Sequence, residues 1–246
     1  MTETQRPPTA LVVGGGGGIG SAVARALARD GYSVVLTYLS DKVRAETAAA
    51  EISPDGRRSA AVELDATSSA HVDDLFARLA ADGRLTCVVH CPGAWTFTRL
   101  TELTDAEIDQ AIDLNLKSGL YVLRAAGRHL ADGGAVVTVS SAAVGLAPTR
   151  HASYVATKAG IEAASRVAAK EFGARGIRVN VVRPGATDTA RLRASTSPKA
   201  IEAMSTGNVL RRLGTPEDIA DVIAFLCSDR GRWVTGSVLD VAGGIR

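Results

Sequence analysis

The chain has 246 residues, 46% hydrophobic and 22% charged, a length and balance that fit one large compact domain better than two. Its 28 Lys and Arg against 26 Asp and Glu leave a net charge of only +2, with both signs interspersed, which argues against a nucleic-acid partner. No apolar run approaches the ~18 residues that span a bilayer, residues Met1 to Pro8 are polar rather than signal-like, and three cysteines without a CxxC pair predict a reducing cytoplasm rather than a disulfide framework.

Short runs rich in Val, Leu and Ile alternate with longer Ala-rich stretches, the rhythm of repeated βαβ units and a parallel sheet. In chain order the reading is strand Thr9 to Val13, helix Ile19 to Arg29, strand Ser33 to Tyr38, helix Lys42 to Ile52, strand Ser59 to Leu64 and helix Ala70 to Ala81. Strand Cys87 to His90, one long helix Asp105 to Leu130, strand Ala135 to Val139, helix Tyr154 to Phe172, strand Arg178 to Val182, helix Pro216 to Cys227 and strand Val238 to Val241 complete it. Continuous rather than alternating hydrophobicity implies strands buried on both faces. The fold class expected is α/β, a doubly wound sandwich with a seven-stranded parallel sheet flanked by helices, filling residues 1–246 as a single dinucleotide-binding and catalytic domain. Residues 188–207 lack clear periodicity and read either as a lid over a pocket or as a surface loop with a short helix.

The first strand runs into Gly14-Gly15-Gly16-Gly17-Gly18-Ile19-Gly20 and then a helix. A strand, a glycine turn and a helix N-terminus present backbone N–H groups and a helix dipole to a pyrophosphate. Read alone, the run satisfies G-x-G-x-x-G at Gly15, Gly17 and Gly20 and equally G-x-x-x-G-x-G at Gly14, Gly18 and Gly20, and a bare tight turn is a third reading.

Downstream, Ser141, Tyr154 and Lys158 stand in the order S…Y-x-x-x-K, with tyrosine and lysine one helical turn apart on a common face. With these residues the chain resembles the short-chain dehydrogenase/reductase family, and most of all its 3-oxoacyl-acyl-carrier-protein reductases. Further landmarks of that resemblance are Asp65, Asn115 in DLNLKSG, Arg183-Pro184-Gly185 with Thr189, the RLGTPEDIA run and VTGSVLDVAGG. The resemblance covers essentially the whole chain, implies a Rossmann-like fold and favours the register Gly14, Gly18, Gly20.

It implies Asn115, Ser141, Tyr154 and Lys158 as catalytic residues, with Tyr154 the general acid in ketone reduction and Lys158 also holding the nicotinamide ribose. A free tyrosine has a pKa near 10; bringing it to about 7 needs roughly 4 kcal/mol, which a nearby ammonium and the oxidised nicotinamide are expected to supply. Cofactor contacts are expected from Gly14, Gly18, Ile19, Gly20, Asp65, Ala66, Gly93, Tyr154, Lys158, Pro184, Gly185, Thr187 and Thr189. Tyr38 ends the second strand, where NAD-selective proteins carry an acid for the ribose hydroxyls; with Ser40 and Lys42 following, its absence favours NADP(H) over NAD(H), although Asp41 stands close by.

Substrate contacts are expected from Ser141, Trp95, Leu146 and His151, with simple packing the alternative for Trp95 and Leu146 and an exposed loop position for His151. Arg128 and Arg175 read as candidate contacts for an acidic carrier protein, or as solvated helix-end charges. The chain departs from the family in Val13, in His90-Cys91-Pro92-Gly93 where Asn-Asn-Ala-Gly is usual, and in Ala242-Gly243-Gly244. Cys87, His90 and Cys91 invite a metal reading, but no fourth ligand has zinc-like spacing and no metal is expected. The function expected is NADP(H)-dependent reduction of a small-molecule ketone, with a carrier-borne 3-oxoacyl thioester the favoured substrate type, by a homotetramer or homodimer without nucleic-acid or membrane partners. An NAD-dependent secondary alcohol dehydrogenase, or a catalytically silent dinucleotide sensor, are the alternatives.

Overall fold

The structure, a computed structural model, describes residues 7–53 and 59–245. Among these, seven parallel strands form one sheet: β1 (Thr9–Val13), β2 (Ser33–Tyr38), β3 (Ser59–Glu63), β4 (Leu85–His90), β5 (Ala135–Val139), β6 (Arg178–Pro184) and β7 (Val238–Val241). The spatial order is β3-β2-β1-β4-β5-β6-β7. The chain therefore winds outward from β1 to β3, returns to lay β4 on the other side of β1, and winds outward again. Where the two directions part, a crevice opens beyond the carboxyl ends of β1 and β4, the usual ligand position in such sheets.

Helices cover both faces, so the Val-rich central strands are buried on both sides; β5, AVVTV, is buried at every residue. On one face Val12, Val89 and Val137 pack under α1 (Gly18–Arg29), α2 (Lys42–Ile52) and α10 (Pro216–Cys227). On the other, Leu11, Val88 and Val136 meet α3 (Ser69–Ala80), α5 (Ser118–His129) and α7 (Ala152–Phe172). Small residues let these helices approach closely: a Cβ at Gly119 would lie 2.5 Å from the Ile161 side chain, and one at Gly127 2.6 Å from the Phe172 ring.

The long helix expected from Asp105 to Leu130 is divided. About two regular turns, α4 (Asp105–Ala111), start at a Thr104–Glu107 capping box, and six residues, Ile112–Lys117, are then wound as a π-helix before α5 continues. Such wide turns recur at functional sites. The segment expected as lid or loop holds two short helices, α8 (Ala190–Ser195) and α9 (Pro198–Thr206), started by the Thr189 and Ser197 side-chain caps. The remaining helix, α6 (Ala143–Leu146), is a single turn. No helix among the described residues is long and apolar enough to cross a membrane.

Candidate active site

The glycine run turns the chain from β1 into α1 at the mouth of the crevice. Gly14 has φ +74°, and its N–H donates to Thr37 Oγ1 at 3.1 Å. A Cβ at Gly20 would lie 2.4 Å from the Gly14 carbonyl oxygen, and one at Gly18 2.7 Å from Thr189 Cγ2, whereas one at Gly17 would meet nothing nearer than 3.5 Å. The positions that exclude a side chain thus include Gly14, Gly18 and Gly20, which fits that register better than one using Gly17. Gly15, which lies 2.5 Å from Leu36 Cβ by the same construction, is a further packing glycine. The cradle left by these close approaches, at the positive end of α1, suits a pyrophosphate.

The end of β2 lies beside this loop, with Tyr38 half-buried against Gly16 and Ser40 and Lys42 exposed. The Asp41 carboxylate is turned into the start of α2, where it accepts the Arg44 N–H at 3.0 Å. Past β3, Asp65 Oδ1 accepts both the N–H and the hydroxyl of Thr67, at 2.9 and 2.6 Å, and these bonds hold its carboxyl below the usual carboxylate range. Ala66 is half-buried beside it.

The other wall comes from β4, β5, the π-turn and α7. Asn115, fully buried in the π-turn, accepts the Ala94 N–H on Oδ1 and donates Nδ2 to the Ala94 carbonyl, both at 2.8 Å, so it clamps the loop after β4. Lys158 is 2% exposed; Nζ donates to the carbonyls of Pro92 at 3.0 Å and Val139 at 2.8 Å, which spends two of its three N–H groups. Burial lowers its pKa to about 8. Gly93 passes directly over it, where a Cβ would lie 3.2 Å from Nζ. One turn before Lys158, Tyr154 faces the same cavity and shares a hydrogen bond with Ser141, which sits just past β5.

The electrostatics of the protein groups are only one part of what is expected to set the Tyr154 pKa, the oxidised nicotinamide being the other. Desolvation raises the Tyr154 phenol above its ordinary pKa of 10, opposed by the Ser141 hydrogen bond and by the charge of Arg191. The Lys158 ammonium, turned toward two carbonyls, does not bring it down. Protein groups alone therefore leave Tyr154 a phenol.

The crevice holds a cavity of about 540 Å³. Ile19, Gly93, Tyr154 and Lys158 line it on the sheet side, Pro184, Gly185, Thr187 and Thr189 beside them, and Trp95 and His151 toward solvent. Gly185 is fixed under β7, since a Cβ there would meet Ala242 at 2.8 Å, and its N–H donates to Val241. Leu192, Ala200 and Met204 of α8 and α9 close the outer side, so the 188–207 segment overlies the cavity. Leu146 does not reach it: α6 is one turn long, its first residue, Ala143, abuts the cavity, and Leu146 at its end is 38% exposed. Two residues had no sequence signal. Phe97 lines the cavity and packs edge-on against His151, and Arg191 of α8 stacks on Trp95 and donates Nη1 to the Gly93 carbonyl at 2.8 Å.

Arg128 and Arg175 are not beside the cavity. Arg175 pairs with Asp132 at 2.7 Å and donates to the Gly127 carbonyl, and Arg128 stands 3.8 Å from Asp73. Arg175 thus sits at the entrance of β5, the opposite end of the sheet from the crevice, and its donors secure the end of α5. His90 is buried on the α5 side with Nε2 3.0 Å from Ser118 Oγ. Desolvation and the Lys158 charge push its pKa down to about 3, so it is neutral. Cys87 is buried and Cys91 half-buried at the cavity, and among the described residues no three His, Cys, Asp or Glu side chains are grouped to hold a metal.

Comparison with known proteins adds the following. The family model described as enoyl-(acyl carrier protein) reductase matches residues 14–246. The hydroxynaphthalene reductase of Aspergillus fumigatus is 35% identical over 240 residues, 92% of this chain and 88% of that protein. The 3-oxoacyl-acyl-carrier-protein reductase of Staphylococcus aureus is 33% identical over 240 residues, 96% of this chain and 97% of that one. A short chain dehydrogenase from Burkholderia cenocepacia, solved in complex with NADP, superposes with a TM-score of 0.89 at 33% identity over 97% of both chains.

Proposed function

The chain belongs to the short-chain dehydrogenase/reductase family of NAD(P)-dependent oxidoreductases, and from that premise we propose that it uses NADPH to reduce a ketone to a secondary alcohol. The observation that carries this reading is the Tyr154 phenol, hydrogen-bonded to Ser141 and one turn from the buried Lys158, in the wall of a cavity at the sheet's switch point.

Gly14, Gly18 and Gly20 with Ile19 would receive the pyrophosphate, Asp65 and Ala66 the adenine, Gly93 and Lys158 the nicotinamide ribose, and Pro184, Gly185, Thr187 and Thr189 the carboxamide. The bound cofactor supplies the hydride and, once oxidised, a positive charge beside the tyrosine. In this reading Ser141 donates a hydrogen bond to the ketone oxygen as charge develops on it, and Tyr154 gives that oxygen its proton. A phenol kept protonated by burial is in the right state to start as the acid. Lys158 holds the ribose and passes a proton back to Tyr154, while Asn115 acts as a positioning residue through the loop that lies over the lysine. The 188–207 segment serves as the lid of this domain.

NADP(H) preference is supported by the missing acid at Tyr38, the exposed Ser40 and Lys42, and the commitment of Asp41 to its helix cap. A 3-oxoacyl thioester is supported by likeness to the Staphylococcus reductase; Trp95 and Phe97 in the cavity, with the likeness to hydroxynaphthalene reductase, support an aryl ketone as a second reading. Exposed Ile108, Leu120 and Val167 on α4, α5 and α7 support a homotetramer or homodimer, and three free cysteines support a reducing cytoplasm.

The test is oxidation of NADPH and of NADH against 3-oxoacyl thioesters, cyclic and aryl ketones, quinones and aldehydes, with Tyr154→Phe as control. NADPH-dependent ketone reduction lost at least a thousandfold in Tyr154→Phe is expected, on the order of the loss for removing a general acid. Equal use of NADH would favour the alcohol dehydrogenase alternative, and nucleotide binding without turnover of any carbonyl would favour the sensor.

A further inference from the structure

The wall of the cavity nearest solvent is aromatic and aliphatic, formed by Trp95, Phe97, Leu192 and Met204. Two guanidinium groups flank it, each stacked on one of its rings: Arg191 with Cζ 4.5 Å from the Trp95 centroid, and Arg150 with Cζ 5.2 Å from that of Phe97. Arg191 is the better anchored, because Nη1 also donates to the Gly93 carbonyl at 2.8 Å. Stacking and that bond hold the planar fork in one orientation before anything binds, which lowers the ordering cost of using its other N–H donors.

What Arg191 lacks is a carboxylate. Its neighbour Arg193 is held bidentately by Asp188 at 2.6 and 2.5 Å, and Arg212 by Asp218, whereas among the described residues Arg191 has no acidic partner. Its charge is nonetheless felt at the Tyr154 phenol, which it draws downward in pKa. The guanidinium stands at the rim of the cavity, against Trp95 and Gly93, two of the residues that line it. The glycine cradle, in contrast, is approached by Thr189, whose methyl packs on Gly18, while Arg191 reaches the loop after β4 on the other side.

We propose that Arg191 is a specificity-determining residue that binds an anionic group, a carboxylate or phenolate, carried by the ketone substrate, with Arg150 adding charge at the same mouth. The inference rests on the ketone-reductase reading and narrows its substrate class to acidic ketones. A guanidinium fork on an oxyanion gives two charge-assisted hydrogen bonds of fixed geometry, and the stacking on Trp95 pre-orients the fork for them although Arg191 is exposed.

The test pairs acetoacetate, 4-oxopentanoate and 4-acetylbenzoate with their methyl esters, so that carboxylate and neutral ester are compared at three distances from the ketone. For the best-spaced pair the acid-to-ester ratio of kcat/KM should fall roughly tenfold or more in Arg191→Gln and by less in Arg191→Lys, which keeps the charge but loses the fork. An unchanged ratio in Arg191→Gln overturns the proposal. So does an unchanged ratio with weakened NADPH binding, because the guanidinium then serves the cofactor's phosphates. Calorimetric binding of each acid and ester to the NADP⁺-loaded protein reads the same preference without turnover. If no ketone is reduced but the acids bind in preference to the esters and lose that preference in Arg191→Gln, the reductase reading fails and the anion site stands. If the acids show no preference in the unaltered protein, the anion site fails whatever the turnover.

Discussion

Lys158 offers a direct measure of what burying this site costs the fold. The ammonium is 2% exposed, and burial lowers its pKa from 10.5 to about 8. A lysine whose folded pKa lies below its unfolded one destabilises the fold fully below about pH 8. That cost is relieved as pH climbs toward 10.5, where the unfolded chain still binds a proton the folded chain has released. At about 1.4 kcal/mol per pK unit, the relief between about pH 7.5 and about pH 10 comes to roughly 2 kcal/mol. Groups of opposite sign titrate nearby: burial pushes the Cys91 thiol up to about 12, the hydrogen bond with Cys227 and then burial raise Cys87, and both penalise the folded state as the unfolded thiols ionise. The wild-type curve alone is therefore not diagnostic, and the comparison is with Lys158→Met. Urea unfolding of both proteins at the two pH values should show the move to alkaline pH favouring the wild type by roughly 2 kcal/mol more than the variant. Loss of the bonds to the Pro92 and Val139 carbonyls affects the variant at both pH values and cancels. Identical pH shifts in the two proteins would refute the buried-ammonium account.

Two structural substitutions complement this. Asn115→Leu strips Ala94 of partners for both its N–H and its carbonyl, so stability should fall by roughly 2–4 kcal/mol and the melting temperature by about 5–15 °C, with faster amide exchange in residues 91–99. A melting point unchanged by calorimetry would show that the clamp carries no energy. Gly20→Ala would place a methyl 2.4 Å from the Gly14 carbonyl oxygen and should cost about 2 kcal/mol or more and weaken NADPH binding, measured by fluorescence titration. Gly17→Ala, with nothing nearer than 3.5 Å, should be tolerated on both counts; equal damage from the two would sink the assignment of the register.

The sheet was legible because its signal is local. Val-rich runs buried on both faces, separated by Ala-rich helices, read as βαβ units without knowledge of what they touch, and strand ends moved only by a residue or two. The S…Y-x-x-x-K spacing placed Tyr154 and Lys158 on one helical face, as the structure has them. The π-turn at Ile112–Lys117 was not legible, since IDLNLK carries no proline or glycine to mark it; it accompanies the pairing of Asn115 with Ala94, 21 residues away. Leu146 ends the single turn of α6, 38% exposed and outside the cavity lining, a placement its sequence neighbours do not signal.

The sequence by itself determined the α/β class, the order of the elements, the glycine turn and the residue types that meet at the crevice, because hydrophobic period and motif spacing act within one element. Tertiary structure decided the rest. Gly18 is excluded from carrying a side chain by Thr189, far along the chain, and Arg191 becomes a cation at the cavity's rim only because its helix folds back over Trp95. Arg175 is placed at the opposite end of the sheet by bonds to Asp132 and Gly127. The protonation states of Tyr154, Lys158 and His90 follow from how much water the packed elements exclude, a quantity that no run of neighbouring residues contains.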